Sequence, residues 1–264
     1  MIQRKHENLF LHENGLLFAN GVDKAITWMN STVNGRPVIP RTRYIVEFNA
    51  LWYNALKIMA RLAEKYENKQ LCRKYLEMAE KTKKSFDEKF YNEEKHCLYD
   101  VLGDSKVRPN QLFALSLSHP IVDNAEIAEQ VLNTVENKLL NKYGLKTLSS
   151  DEDGYVDVYE GSAYRRDSSY HQGITWPWLL GLYYDALKNT MIIEKNRTKR
   201  QELEEKITKL VYTTKETFKA EMFERSSIGT ISEIYDSTEP YEERGAFAQA
   251  WSVAEIFRIV LNKR

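Results

Sequence analysis

The sequence predicts an all-α protein, an α/α toroid built of helical hairpins, and three observations predict it. Seven apolar stretches recur at three- and four-residue spacing, alternating between segments apolar almost all round and segments with one charged face. Four loops loaded with Arg, carboxylates and amides lead into helices beginning near Glu47, Pro109, Gln172 and Gly245, about 62, 63 and 73 residues apart, a spacing that suits hairpin repeats. Strand signals are weak and confined to the loops. Inner helices wrapped by an outer ring leave a ligand site at one mouth, where the connecting loops converge.

The first helix starts at Glu47 and carries the stripe Phe48, Leu51, Trp52, Ala55, Leu56, Met59, Leu62 and Ala63, with Lys57, Arg61, Glu64 and Lys65 on its polar side. After Glu67-Asn68 a wetter, outer helix uses Leu71, Tyr75, Ala79, Thr82, Phe86 and Phe90. Pro109 opens a third, because a missing amide hydrogen costs little at a first helical position, and Leu112, Phe113, Leu115 and Ser116 follow. Ile127, Val131, Val135 and Leu139 mark the fourth. From Ile174 to Lys188 the chain is apolar nearly all round, the mark of a helix buried on both flanks. Leu203, Ile207, Leu210, Val211 and Phe218 form another outer helix, and Phe247, Ala250, Trp251, Ala254, Phe257 and Val260 an apolar last one. The mixed-sign run from Glu194 to Lys206 is a solvated helix face. No internal boundary interrupts residues 1–264, which form a single domain whose residues 1–46 are an extended loop region feeding the first inner helix.

Composition excludes several classes of partner. Lys plus Arg number 38, as do Asp plus Glu, so no global field recruits nucleic acid or an anionic membrane, and a neutral ligand fits better. The start, MIQRKHENLFLHENG, has no apolar core of signal-peptide length, and nowhere does an apolar run reach membrane-spanning length. Cys72 and Cys97 show no paired spacing and suit free thiols in a reducing compartment, so the expected location is cytoplasmic.

The loops intermingle aromatic and polar groups. Trp and Tyr faces stack on the apolar faces of pyranose rings while Arg, carboxylates and amides bond the hydroxyls, so a rim holding Trp28, Trp52, Trp176, Trp178 and Trp251 is what a sugar site requires. Pro37 and Pro40 hold the first loop extended, as in a rigid connector, but connectors rarely need Trp28 beside Met29-Asn30. Trp176 and Trp178, two apart on one helix, point in different directions, which assigns at least one to core packing. His6, His12, His96, His119 and His171 lie far apart, with no metal-binding spacing, so neither metal nor cofactor is expected. His171 is either a satisfied structural histidine or a hydroxyl partner. No phosphate loop or nucleophile elbow is present, which leaves carboxylates as candidate catalysts. Glycoside hydrolysis needs one protonated acid and one carboxylate, about 6.5 to 9.5 Å apart in inverting enzymes.

The segments ITWMN, PR followed by VEFNALWYNAL, LYD with RPNQ, GLKTL, YRRDSSYHQGITWPWLLG, and ISEIYD followed by RGAFAQAWSVAEIFR carry a specific resemblance. In that order, from Trp28 to Arg258, the chain resembles the C-terminal glucosidase domain of glycogen debranching enzymes. The resemblance implies an (α/α)6 toroid of the glucoamylase type that hydrolyses α-1,6-linked glucose at glycogen branch points with inversion. It implies that Glu233, in the ISEIYD segment, is the general base. The family's acid usually stands in WMD, where this chain has Trp28-Met29-Asn30, and an amide delivers no proton to a leaving oxygen. Either another acid substitutes, the enzyme is crippled, or the roles align differently. Asp23 is the nearest replacement, and Glu47 and Asp167 are others. By the same matching, Trp28, Arg41, Glu47, Asn49, Trp52, Arg108, Asn110, Gln111, Asp167, Tyr170, His171, Gln172, Trp176 and Gln249 shape the sugar pocket.

Twelve helices close such a toroid and this chain supplies about seven, matching its C-terminal part. An open ring would expose apolar helix faces, which implies self-association. Glycogen or limit dextrin is the expected partner. Two other readings stay open: a toroid glycosidase of the glucoamylase or trehalase type, and a non-catalytic glucan-binding module or incomplete remnant, which Asn30 favours.

Overall fold

A computed structural model describes residues 6–225 and 228–261. The chain is about half helical, with eight α-helices among the described residues and eleven strands of two or three residues each. The part of the expected 1–46 loop region that falls on residues 1–5 lies outside the described residues.

Two antiparallel hairpins precede the first helix: β1 (Leu9–Leu11) with β2 (Leu17–Ala19), and β3 (Thr32–Val33) with β4 (Arg36–Pro37). Helix α1 (Val46–Lys65) packs against α2 (Lys69–Lys89), which is capped by Asn68 accepting from the Leu71 amide. Thr82 and Ser85 of α2 donate to the carbonyls of Gly15 and Asn14, tying the first hairpin down. The face that α1 buries matches the expected stripe only in part, at Trp52, Leu56 and Ala63. Val46, Ala50, Tyr53, Leu56, Ala60 and Ala63 point inward, while Leu51, Ile58, Met59 and Leu62 are each about 40% exposed. Both stripes obey helical spacing, so periodicity alone does not choose between them; the small residues on the first permit close approach of α2.

A hairpin of β5 (Tyr91–Asn92) and β6 (Cys97–Leu98) leads to a 3-10 turn at Pro109–Leu112 and the four-residue α3 (Phe113–Ser116), shorter than the third helix expected. Leu117 turns extended soon before Pro120, which the chain cannot enter in helical geometry. Helix α4 (Ala125–Lys138) starts at Asn124, whose side chain accepts from the Glu126 and Ile127 amides. Next come β7 (Leu140–Asn141), β8 (Gly144–Lys146), the seven-residue α5 (Ala163–Ser169) and β9 (Thr175–Trp176). The buried helix expected from Ile174 begins at Leu179 as α6 (Leu179–Ile193), because the residue before Pro177 is driven into extended geometry and joins a strand instead. Helix α7 (Arg197–Glu224), capped by Asn196, is followed by β10 (Ile234–Tyr235), β11 (Glu243–Arg244) and α8 (Ala250–Leu261). Phe247, expected in the last helix, lies outside it and is 75% exposed. The all-α expectation is corrected by a sheet of order β11-β10-β9-β8-β7, antiparallel throughout, formed by segments that connect the helices. Among the described residues no helix is long and apolar enough to cross a membrane.

The N-terminal loop is fixed by charge. Arg41, 2% exposed, forks onto both oxygens of Glu47 at the start of α1 and onto both oxygens of Asp100, with N···O of 2.9 Å to each Asp100 oxygen. Burial alone would lower the affinity of Arg41 for its proton, but the charges of Asp100 and Glu47 outweigh it and the net shift is upward, so the guanidinium stays charged. Replacing Arg41 with Met leaves two buried carboxylates without their cation, and the expected cost is about 3–5 kcal/mol. A lowered urea midpoint reads that loss; Arg41→Lys recovers little of it, since an ammonium cannot fork to two carboxylates.

Candidate active site

The floor of the site continues outward from that ion pair. Asn110, in the 3-10 turn, donates to Asp100 Oδ1 at 2.7 Å and accepts from the indole Nε1 of Trp28 at 2.7 Å. One amide therefore couples the charge cluster to the first aromatic of the rim. Arg108, just upstream, donates to the carbonyls of Thr147 and His171 and to Gln172 Oε1 at 2.7 Å, which holds the Tyr170-His171-Gln172 segment in place. Burial lowers the proton affinity of Arg108.

On this floor stands an aromatic wall. Trp28 meets Trp176, Trp178 and His171 edge to face, with ring centroids 5.5, 5.0 and 5.1 Å apart. Trp178 stacks on Trp251 at 5.2 Å, and His171 stacks on Trp176 at 5.1 Å. Trp176 and Trp178 do not share a helix, contrary to the sequence expectation. One lies in β9 and the other at the start of α6, with Pro177 between, and both reach Trp28. The indole nitrogens of Trp178 and Trp251 and both ring nitrogens of His171 are buried without a protein partner. Burial, with Arg108 and Arg41 adding, lowers the His171 pKa to about 3, so the imidazole is neutral.

Glu233 occupies another edge of the same site. Its Oε2 accepts from the Ala246 amide and its Oε1 from Gln249 Nε2, both at 3.0 Å, and the phenol of Tyr170 donates to the same carboxylate. Burial first, then Glu233, pushes the Tyr170 phenol up, so it stays a donor. Tyr170 in turn packs on Trp176 at 4.9 Å and on His171 at 4.7 Å, linking the carboxylate to the wall. Gly245 has φ of +69°, and a Cβ there would collide with Glu233, so the turn that wraps the carboxylate requires glycine. Gly173 likewise has a positive φ, and a Cβ there would run into the Val156 carbonyl.

Trp28, Arg41, Glu47, Arg108, Asn110, Tyr170, His171, Gln172, Trp176, Glu233 and Gln249 thus form one connected network. Asn30 and Asp167 lie at its exposed edge, where Ser31 Oγ donates to the Asp167 carbonyl. Asp23 is exposed on the turn before Trp28. Other candidates serve the frame. Asn49 bonds Leu17 and the Ile45 carbonyl, Gln111 joins the Leu98 amide to the Arg108 carbonyl, and Trp52 faces a cleft beside His12, Gly15 and Met78. Asp100 is a site residue that sequence reasoning misses, although its LYD segment is legible. Nothing local separates an acid that anchors arginine from any other acid near a turn. The arrangement offers apolar faces for a sugar ring, buried donors and acceptors for hydroxyls, and one oriented carboxylate able to take a proton from water.

The family profile of amylo-alpha-1,6-glucosidase matches residues 5–258. Among solved structures the chain is similar to a sialidase at 13% identity, with a TM-score of 0.65 over 93% of this chain and 22% of that one. It is also similar to the GH63 mannosylglycerate hydrolase from Thermus thermophilus in complex with Tris and D-glycerate, at 12% identity and a TM-score of 0.54 over 85% of this chain and 47% of that one. An uncharacterized conserved protein from Thermus thermophilus matches at 13% identity and a TM-score of 0.54, over 83% and 47%. The chain thus spans less than half the length of these structures, and at such identities the likeness is one of fold. With its sequence matched almost from end to end, the chain belongs to the amylo-alpha-1,6-glucosidase family of glycoside hydrolases.

Proposed function

We propose that this chain carries the glucosidase site of an inverting amylo-α-1,6-glucosidase that removes glucose at branch points of glycogen-like glucans. The observation that carries the reading is Glu233, held by the Ala246 amide, Gln249 and Tyr170 beside a wall of four tryptophans. Glu233 takes a proton from water as the water oxygen attacks the anomeric carbon, and the departing 6-oxygen receives a proton from an acid on the opposite face. At the position the family gives that acid stands Asn30, which has no proton of that kind to give. Glu47 is locked to Arg41, which leaves Asp23 and Asp167 as candidates; Asp167 is tied by its carbonyl to the residue after Asn30. Neutral His171 and the indole nitrogens beside it are the hydroxyl partners. The pairs α1/α2, α3/α4 and α6/α7, with α8, are read as part of an (α/α)6 toroid acting in the cytoplasm. The exposed stripes Leu51, Ile58, Met59 and Leu62 of α1 and Phe223, Phe257 and Leu261 of α7 and α8 are self-association surfaces. A second reading, a glucan-binding module without catalysis, is favoured by Asn30 alone.

Glu233→Gln is expected to lower hydrolysis of an α-1,6-branched dextrin by about 10²–10⁴-fold while calorimetric binding of maltooligosaccharides stays within a fewfold. Asn30→Asp is expected to raise the rate, and Asp23→Asn or Asp167→Asn to abolish it if that residue is the acid. Binding without hydrolysis in every variant, wild type included, selects the module. His171 makes a pH prediction: its folded pKa lies below the unfolded value, so the unfolded chain gains a proton first as pH falls. Stability is therefore lost below about pH 6.5 at about 1.4 kcal/mol per pH unit. Urea midpoints of wild type against His171→Phe, compared at pH 7 and 5.5, isolate that slope. Sedimentation equilibrium should show a mass that rises with concentration, and Met59→Glu with Phe257→Glu should return it to the 31.0 kDa monomer.

A further inference from the structure

Glu233 is delivered by a hairpin too short to hold itself. Strands β10 and β11 have two residues each, paired Ile234 to Arg244 and Tyr235 to Glu243; β10 pairs with β9 at Tyr235 opposite Thr175, and the Ser237 hydroxyl beyond it bonds the Thr175 hydroxyl and the Gly173 carbonyl. Glu233 immediately precedes β10. The amide and side chain that bind its carboxylate, from Ala246 and Gln249, follow β11. Any slip between these strands therefore moves the base against its own donors. A ladder of this length is marginal by itself, so side chains must set its place.

On one face, Arg244 and Asp236 clasp within the hairpin, with the Tyr159 amide donating to Asp236. On the other, the cross-strand pair Tyr235 and Glu243 reaches the last turns of α7. The Tyr235 hydroxyl donates to Glu221 Oε1 at 2.9 Å. Arg225, one turn further, sits 2.9 Å from Glu243 Oε1 and donates to Glu243 Oε2 at 3.0 Å, to the Tyr143 hydroxyl at 2.8 Å and to the Tyr241 carbonyl at 3.4 Å. Its Nε is 3.5 Å from Glu221 Oε2. Tyr143, from the turn between β7 and β8, stacks on Tyr235 at 4.4 Å with Lys142 over its outer ring. One guanidinium thus faces two carboxyl groups. Burial of Glu221 raises its proton affinity while Glu243, despite burial, is held below its ordinary value by a backbone donor and by Arg225. The mechanism above uses none of these groups.

We propose that Arg225, just past the end of α7 and acting through Glu243 of β11 beside Glu221 of α7, is the positioning residue for the base: it locks the β10–β11 hairpin in the register that keeps Glu233 against Ala246 and Gln249. The end of the long helix thus grips a four-residue ladder at two points, the Tyr235 hydroxyl on Glu221 and the forked Arg225 on Glu243. The role of Glu233 as base rests on the reading above, but the lock itself does not.

Amide hydrogen exchange tests the lock without any substrate. In Arg225→Met, exchange at Glu233 and Ala246, which bond across the hairpin, is expected to accelerate at least tenfold, with Ala50 and Leu56 of α1 unchanged. Arg225→Lys is expected to recover part of the protection. Unchanged exchange at Glu233 and Ala246 overturns the proposal, as does acceleration shared equally with α1, which would make Arg225 a contributor to global stability only. With a branched dextrin, kcat of Arg225→Met should fall about tenfold while KM stays within twofold. A wild-type chain that hydrolyses nothing sinks the glucosidase reading, and the exchange data still decide this one.

Discussion

The guanidinium of Arg41 is the constraint on which the site depends. It joins the end of the N-terminal loop and the nearby first turn of α1 to the segment after β6, some 59 residues on, by forked hydrogen bonds to two carboxylates. A cation between two carboxylates in a dry interior costs much to assemble, and its contribution is specificity of geometry more than stability. That geometry propagates through Asp100 to Asn110 and from Asn110 to Trp28. The tryptophan that anchors the aromatic wall is thus oriented by a charge it does not touch.

Floor and rim are built on different principles. The floor is dense with hydrogen bonds, whereas the carboxylate at the rim hangs from strands of two residues and a turn that requires glycine. Among the described residues, buried polar atoms without a partner occur on His171, Trp178 and Trp251 where the two meet, and also elsewhere, on Trp52, Ser116 and Thr190 among others.

Much of this organisation is legible in the residues. α4 and α7 declare themselves by an Asn cap followed by regular apolar spacing. α5 does not, because Ala163–Ser169 has no apolar period and is helical only through its Ser162 cap and its packing against β3. The buried side of α1 is ambiguous in sequence because two stripes satisfy the same period, and only the neighbours decide. The sugar-site candidates divide on similar grounds. Tyr170, His171, Trp176 and Glu233 fall in dense runs of aromatic and polar residues, and those runs meet in space. Asn49 and Gln111 read the same way in one dimension, yet their amides are consumed by backbone groups of neighbouring segments. Hydrogen-bond partners well separated along the chain leave no trace in local composition.

Four of the five tryptophans in the chain lie ring against ring in the site, and the fifth is buried against the first hairpin. Centroids 5.0 to 5.6 Å apart are close enough for excitation to migrate among the indoles before emission. The ultraviolet fluorescence of the whole molecule is therefore weighted toward a single locale, and its colour follows the wetness of that aromatic wall, with no dye or label attached.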